Sequence, residues 1–587
     1  MRHKNRLCCV LFVLAVVIIF CPRKDVSDVQ SSWWETAVVY QIYPRSFYDA
    51  DGDGVGDLRG VIRKLHYLRE LGVDAIWLNP VFKSPQVDFG YDVSDYYRVD
   101  PLFGSNDDLV TLFVEAGKVG IRVILDFVPN HTSAQHEWFV KSEKRVEPFT
   151  DFYVWHAGKA NPNGGRPLPP NNWQSSFYGS AWEWSDRRKE YYLHQYAAGQ
   201  PDLNYRHPKV VEAFDELLRF WMRKGASGFR VDAVNRMFED QYFRNEPVND
   251  PRDPLSYRYT HHIYTRDQPE TYEVIARWRN VLDEYVKNNG REEVIMFTEA
   301  YSNLTSTMKY YQSRDGTQQR AQLPINFSLT QKLNQNSTAY DIKRLIDEWM
   351  AKMPAGKVAN WVLGNHDKPR IASRFGWERV ESMAALTLGL PGVAFIYYGD
   401  EIGMGDYRDI SYEDTVDPKG RNVGPEKYKQ ISRDPARTPF QWDDSKNGGF
   451  SPASKTWLPV HPNYREINLH NQMTSDDSTF KFYLNFLHLR KDKIFKKGKL
   501  ISKAFNENVF VYVRYIPRLE GSATALYRAV LINLSADPFN VDLGKLLQTE
   551  NYADVKLAGK NSKFTIGDTV DPRHIAIGPY EAMVVGN

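Results

Sequence analysis

The sequence predicts an α/β fold, a (β/α)8 TIM barrel with a subdomain inserted after its third strand and an antiparallel β domain at its C-terminus, on three observations. Eight short runs rich in β-branched and aromatic residues alternate with longer stretches of helical spacing. The connection after the third run, 132–207, is too long for a structureless loop. From about residue 495 strand-like segments follow one another with no helical spacing between them.

At the N-terminus, Leu7 to Phe20 form an apolar run behind Arg2, Lys4 and Arg6, the pattern of a signal peptide over 1–21, with an uncleaved anchor as the alternative. The three cysteines of the chain, Cys8, Cys9 and Cys21, lie in or beside that run. The body of the chain therefore has no disulfide, Cys-ligated metal or Cys nucleophile available to it. Lys and Arg number 75 against 73 Asp and Glu, a balance that gives no reason to expect a nucleic acid as partner. Entry into the secretory route would give meaning to the Asn-x-Ser/Thr sites at Asn130, Asn303, Asn326, Asn336 and Asn533.

The barrel begins at 33 and its first part runs to 131. The eight expected strands are VVYQIY (38–43), AIWLNP (75–80), RVILDFV (122–128), GFRVDAV (228–234), VIMFTEA (294–300), LPINFSL (323–329), NWVLGN (360–365) and GVAFIYY (392–398). Between the first two, Leu58, Ile62, Leu65, Leu68 and Leu71 recur at helical spacing until Gly72, which predicts one helix over 58–72. The inserted subdomain, 132–207, carries the Pro/Gly/Asn stretch NPNGGRPLPPNN (161–172) and many aromatic residues. The second part of the barrel is 208–494, with a further insert at about 404–470 after the last strand. VFVYVRYI (509–516) and ALYRAVLINL (525–534) mark the β domain of 495–587.

In such a barrel the chemistry gathers where strands end and loops begin. Asp126, Asp232, Glu299 and Asp367 each sit at or just past the end of an expected strand, so all four would face one mouth. Four acids there, with no cysteine or phosphate loop competing, suggest acid/base work on a neutral substrate. Glycoside hydrolysis needs one carboxylic acid to protonate the leaving oxygen and one carboxylate to attack or support the sugar carbon.

DFVPNHT (126–132), GFRVDAV (228–234), FTEAY (297–301) and GNHDKPR (364–370), in that order, resemble the strand-end motifs of the α-amylase superfamily, glycoside hydrolase family 13. The resemblance runs from Trp33 onward and includes GYDVSDY (90–96), GDEIG (399–403) and RDPARTPFQW (433–442). QPDLN (200–204) is similar to the form found in the oligo-1,6-glucosidase and insect maltase branch, which acts on short substrates. The resemblance implies that Asp232 is the nucleophile, Glu299 the general acid/base, and Asp367 a third carboxylate gripping sugar hydroxyls. It further implies that His131 and His366 donate to the glucose being cleaved and that Tyr91 stacks beneath it. Asp88 and Arg370 are expected to pair and close the pocket.

Arg230 shares a strand face with Asp232 and is expected to keep that carboxylate ionised, whereas Glu299 must be protonated for the reaction to start. The resemblance thus implies a retaining α-glucosidase that is exo-acting because its pocket admits one glucose; α-1,6-cleaving members of the branch tend to carry Val just after the nucleophile, so Ala233 there favours α-1,4 bonds of the maltose type, with sucrose as a further substrate. Asn130 lies inside this network and is expected to be too buried for a glycan. Two other readings stay open: a transporter heavy-chain-like or receptor protein without activity, and a transglucosylase or sucrose isomerase.

DADGDGVGD (49–57) places Asp49, Asp51, Asp53 and Asp57 at positions 1, 3, 5 and 9 of an EF-hand-like loop, with the Val55 carbonyl at position 7. Position 12 is Gly60, so the usual bidentate Glu is missing. The expectation is a structural Ca2+ ion, which relatives in the branch carry in a similar loop. The expected partner is a small sugar; location is extracellular, or at a membrane if the N-terminal segment stays attached.

Overall fold

The computed structural model describes residues 32–517 and 525–587. The leader or anchor reading of 1–21 lies outside the described residues. Eight parallel strands form the central sheet: β1 (Val38–Ile42), β2 (Ala75–Leu78), β3 (Arg122–Phe127), β4 (Gly228–Val231), β5 (Ile295–Thr298), β6 (Leu323–Pro324), β7 (Asn360–Trp361) and β8 (Val393–Tyr397). Their spatial order is β6-β5-β4-β3-β2-β1-β8-β7, which is chain order wrapped around a cylinder.

Strands β6 and β7 are shorter than the sequence runs suggest. Pro324 has no N–H to give a ladder, and the chain after it turns into a helix at Ser328–Lys332. The seam between them is spanned by one side chain: the Asn360 amide donates to the Pro324 carbonyl (2.8 Å) and accepts from the Asn326 N–H (2.8 Å). Asn360 thus stands in for the missing ladder.

Side chains alternate across each strand, and the inward set forms a separate core of Val39, Ala75, Trp77, Ile124, Ile295, Phe297, Leu323 and Phe395. Gly228 belongs to this inward set because a Cβ there would meet Ile295 Cγ1 at 2.7 Å. The same parity, followed to the C-terminal strand ends, aims Gln41, Asn79, Asp126, Arg230, Asp232 and Glu299 into the barrel mouth. Parity thus connects the packed floor to the polar site.

The helices bury their apolar stripe against the outside of the sheet. In Pro208–Lys224 the stripe is Val210, Phe214, Leu217, Leu218 and Trp221, opened by a Pro in the first turn and ended by Gly225 at φ 126°. The stretch expected as one helix over 58–72 is two, Leu58–Arg63 and Leu65–Leu71, broken at Lys64. Its ammonium lies over the rings of Trp442 (3.9 Å) and Tyr48 (4.2 Å), and burial pushes its pKa down to about 8.

The segment after β3 carries its own three-stranded antiparallel sheet, from Trp155–His156, Trp182–Ser185 and Glu190–Leu193. At the C-terminus a six-stranded antiparallel sheet begins at Lys499 and ends at Gly586. One of its faces, with Phe510, Tyr512, Val530 and Val584, joins the main core; the other, with Val511, Val513, Leu531 and Val585, closes a core of its own. Among the sequons, Asn130, Asn326 and Asn533 are buried, while Asn303 and Asn336 are exposed.

Replacing Asn360 by Ala should leave the Asn326 N–H and the Pro324 carbonyl unpaired in the core and cost about 2–4 kcal/mol. A urea-unfolding midpoint unchanged from wild type would show that the seam does not depend on this side chain.

Candidate active site

The mouth of the barrel is organised by one buried cation. Arg230, at 1% side-chain exposure, donates through Nη1 to Asp232 (2.6 Å) and Asp126 (2.9 Å) and through Nη2 to Glu299 (2.6 Å). Its guanidinium face rests on Trp77 at 4.8 Å. Burial alone would lower its pKa, but Asp126, Glu299 and Asp232 hold it well above its ordinary value. It carries its charge permanently.

Three carboxylates around one guanidinium leave an excess of negative charge in a dry place. Burial first, then repulsion by Glu299 and Asp126, pushes the Asp232 pKa well above the usual carboxylate range, against the pull of Arg230. This differs from the expectation that Arg230 would keep Asp232 ionised. The reason is geometric: the one guanidinium is shared by three carboxyl groups, and burial with repulsion from the other two outweighs its pull on Asp232. Asp126 is likewise raised, to about 6, by burial. Its Oδ2 accepts from the Trp77 indole (3.1 Å) and the Tyr91 hydroxyl (3.0 Å), which locks it into the floor.

The turn after β4 completes the pairing. Ala233 sits in the left-handed region at φ 47°, which a β-branched residue adopts only at a cost. That bend aims its N–H at Glu299 Oε2, 3.1 Å away. The turn after Asp232 and the Glu299 carboxyl are thereby joined a second time.

Asp367 faces the mouth, with 23% of its side chain exposed against 10% for Asp232 and 7% for Glu299. Burial would raise its pKa, yet the guanidinium charges of Arg433 and Arg437 hold it well below the usual range. Arg433 Nη1 donates to Asp367 Oδ1 at 3.1 Å and Arg437 Nη2 to the same atom at 3.0 Å. The expected pairing of Asp88 with Arg370 does not occur. Asp88 accepts from Arg433 Nη2 (2.7 Å), and Arg433 also binds Asp417 (2.6 Å). Arg370 turns away, fully buried, donating Nη1 to the Tyr398 carbonyl (2.7 Å) with its plane over Tyr397 and Tyr398. Arg370 follows β7 and is drawn into the tyrosine pair at the end of β8, whereas Arg433 comes back over the mouth from the second insert.

Tyr91 and His366 lie parallel, 2° apart in plane, with the Tyr91 hydroxyl 2.9 Å from His366 Nε2. Gln41 donates to His366 Nδ1 (2.8 Å), which fixes the proton on Nε2, 3.5 Å from Asp367. His131 Nε2 donates to the Tyr91 carbonyl (3.1 Å). Burial pushes His366 well below its usual pKa and His131 down to about 3, so both rings are neutral donors. The Gln200 amide, from QPDLN, donates to Asp88 (3.3 Å). Phe177 of the first insert packs under Arg433 at 4.9 Å, and its carbonyl accepts from Asn422 of the second insert (3.1 Å).

Sequence reasoning missed Arg433, Arg437, Asp417, Gln41 and Gln200 as members of this network. RDPARTPFQW and QPDLN were legible as motifs, yet a motif far along the chain does not say over which site it folds. At the calcium-type loop, carboxylate oxygens of Asp49, Asp51 and Asp57 lie within 4.8 Å of one another. Asp53 is outside that group and accepts from the Val55 N–H at 2.7 Å instead.

A barrel with acids at its strand ends, one shared guanidinium and two neutral histidines defines a site for acid/base chemistry on a neutral, hydroxyl-rich ligand. The chain belongs to the α-amylase family: the profile of the alpha amylase catalytic domain matches residues 41–498. It is 47% identical to Maltase 1 of Drosophila virilis, over 95% of this chain and 87% of that one. It is 44% identical to the salivary alpha-glucosidase of Anopheles gambiae, over 94% of this chain and 93% of that one. Among solved structures it superposes on the alpha-glucosyl transfer enzyme XgtA with a TM-score of 0.81 at 33% identity, covering 95% of this chain and 100% of that one.

His131 yields a pH prediction. The unfolded chain takes a proton on this ring below about pH 6.5, whereas the native ring does not until about 3. Its contribution to stability is therefore present above pH 6.5 and lost as pH falls through that window. Urea-unfolding free energies measured from pH 7 to 4 should fall less steeply for His131→Asn than for wild type, by close to one proton; parallel curves would contradict the assignment.

Proposed function

We propose that this chain is an exo-acting, retaining α-glucosidase that releases the terminal non-reducing glucose from maltose and short α-1,4-linked sugars, with sucrose as a further substrate. The observation that carries the reading is the Asp232–Arg230–Glu299 bridge at the base of a mouth covered by Arg433. Retaining hydrolysis calls for two carboxyls about 5–5.5 Å apart, and a shared guanidinium keeps such a pair close. The maltase and α-glucosidase names of the relatives support the same activity.

In this mechanism Glu299 gives its proton to the glycosidic oxygen while Asp232 attacks the anomeric carbon, forming a glucosyl ester and releasing the leaving sugar. Glu299, now a carboxylate, takes a proton from water as it attacks the ester, which frees glucose and returns Asp232. Arg230 stabilises the carboxylate that each partner becomes in turn. Asp367, kept ionised by Arg433 and Arg437, grips hydroxyls of the reacting glucose, helped by the neutral Nε2–H of His366, while His131 holds the Tyr91 backbone. Asp88 with Arg433 bounds the non-reducing end of that glucose, so one unit fits.

A bound calcium ion would be held by Asp49, Asp51 and Asp57, hard oxygen donors in the loop between β1 and the helix Leu58–Arg63. Burial and the neighbouring Asp51 and Asp49 raise the Asp57 pKa, a repulsion that a cation relieves. Its role is to brace the loop. Secretion is supported by the basic-then-apolar N-terminus and by the salivary relative, and among the described residues no helix is long and apolar enough to cross a membrane. Asn303 and Asn336 are the exposed sequons for glycans.

Asp232→Asn and Glu299→Gln should each cut glucose release from maltose by at least about 10³-fold, since each removes a reacting group. Arg433→Ala should release the Asp88 side of the pocket and weaken maltose binding about tenfold or more. Arg370→Lys should leave the Michaelis constant near wild type. A wild-type protein that releases no glucose from maltose would overturn the reading. EDTA should lower the thermal midpoint by several degrees and added calcium should restore it; an unchanged midpoint would remove the ion from the account.

A further inference from the structure

The lysines of the chain are unevenly spread. From Lys491 to Lys503, six of thirteen residues are lysine and one, Asp492, is acidic, so this stretch alone has a formal charge of +5 against +2 for the whole chain. Elsewhere lysines meet carboxylates: Lys118 with Glu115, Lys141 with Glu137, Lys343 with Asp347 and Lys556 with Asp554. Here they do not. Lys491, Lys493, Lys496 and Lys499 are exposed, and among the described residues none of the four forms an ion pair. The one acid between them is already engaged, since Asp492 accepts from Arg528 Nη2 (2.7 Å) and from the Ile494 N–H (3.0 Å).

The fold keeps these ammonium groups outward. In the short helix Lys493–Lys497 the buried residues are Ile494 and Phe495, which leaves Lys493 and Lys496, three apart, as neighbours on the outer side. Lys499 opens the strand Lys499–Ala504, the edge of the C-terminal sheet. A lysine on an edge strand guards it against pairing with another chain, but Lys491, Lys493 and Lys496 precede the strand and guard nothing. Like charges at this spacing repel one another, and a bound polyanion relieves that repulsion.

The stretch also has a fixed place relative to the reaction. Arg490, just before it, donates Nη2 to the carbonyls of Thr36 (3.3 Å) and Gly392, which precede β1 and β8. A Cβ on Gly72, which precedes β2, would meet Lys491 Nζ at 3.7 Å. The lysines therefore set out from the end of the barrel where strands begin, whereas Asp126, Asp232 and Glu299 lie where strands end.

We propose that Lys491, Lys493, Lys496 and Lys499 form a docking face for a sulfated polysaccharide, which holds the enzyme to an extracellular matrix while its mouth stays open to solution. A linear polyanion suits lysines strung along one segment, because each ammonium that neutralises an anionic group releases a condensed counterion. The choice of polyanion rests on the secreted reading of the chain: anionic phospholipid lies on cytoplasmic leaflets, and sulfated sugars are what such a face meets outside the cell. It does not rest on the α-glucosidase activity.

The test is retention of the secreted protein on immobilised heparin, with a sulfonate cation exchanger as reference. The protein should elute from heparin at clearly higher salt than from the exchanger. Replacing Lys491, Lys493, Lys496 and Lys499 together by Gln should weaken heparin binding at least about tenfold and lower the slope of log Kd against log salt by about three. Replacing Lys118, Lys141, Lys343 and Lys556 by Gln changes net charge equally and should leave both quantities near wild type, with thermal midpoints checking that both variants fold. Equal losses in the two variants, or wild-type elution from both resins at the same salt, would mean that net charge alone acts and would overturn the proposal; the comparison of resins needs no variant. Tighter binding to phosphatidylserine vesicles than to heparin would overturn it as well. Heparin should leave kcat/KM for maltose unchanged, and competitive inhibition would move the polyanion to the mouth and contradict the placement. Retention is read without substrate, so a protein that cleaves no maltose loses the α-glucosidase reading and not this one.

Discussion

One guanidinium shared by three carboxyl groups is the constraint on which the site depends. Arg230 is almost completely buried and touches Asp126, Asp232 and Glu299 at hydrogen-bond distance. Removing one member of such a buried set leaves the others uncompensated, at a cost of about 3–5 kcal/mol. The barrel tolerates this charge because Asp126 is fixed to the floor by Trp77 and Tyr91, so only the Asp232–Glu299 pair faces the reaction. Both members of the pair hold the same guanidinium, which fixes their positions relative to each other.

A second charged knot lies above the first and comes from elsewhere in the chain. Arg433 ties Asp88, Asp367 and Asp417 together, and Arg437 reaches Asp367 while its Nε donates to the His366 carbonyl (2.8 Å). Asp88 follows β2, Asp367 follows β7, and the two arginines belong to the insert after β8. The insert is thus a functional part of the barrel mouth. Its arginines bind the acids that follow β2 and β7, and Phe177 and Asn422 join it to the other insert.

Much of this was legible in the sequence, and the parts that were not share a cause. Strand parity and the eight alternating runs gave the barrel, and the positions of Asp126, Arg230, Asp232 and Glu299 on strand ends followed from the same period of two. Asp367 and His366 were legible because they follow directly on β7. Arg433 was not, since its place over Asp88 is set by the path of a long insert with little regular structure. The pairing of Asp88 with Arg370 failed for that reason: both follow barrel strands, but the tyrosine pair at the end of β8 supplies Arg370 with a carbonyl and two ring faces. The raised pKa of Asp232 escaped for another reason, because a strand neighbour of Asp232 is visible in sequence while the contacts of Arg230 with Asp126 and Glu299 across the sheet are not. Burial of Asn326 and Asn533 was invisible too, as the first sits at the β6–β7 seam and the second bonds Asp537 and Gly578 carbonyls within the β domain.

The central claim is that Asp232 and Glu299 act as a close, retaining pair on one shared guanidinium. Proton NMR of 4-nitrophenyl α-glucoside hydrolysis, followed from the first minutes before the sugar mutarotates, reads the configuration of the newly released glucose. The account predicts that the α-anomer appears first. First appearance of the β-anomer would mean direct attack by water, and would contradict the role assigned to Asp232.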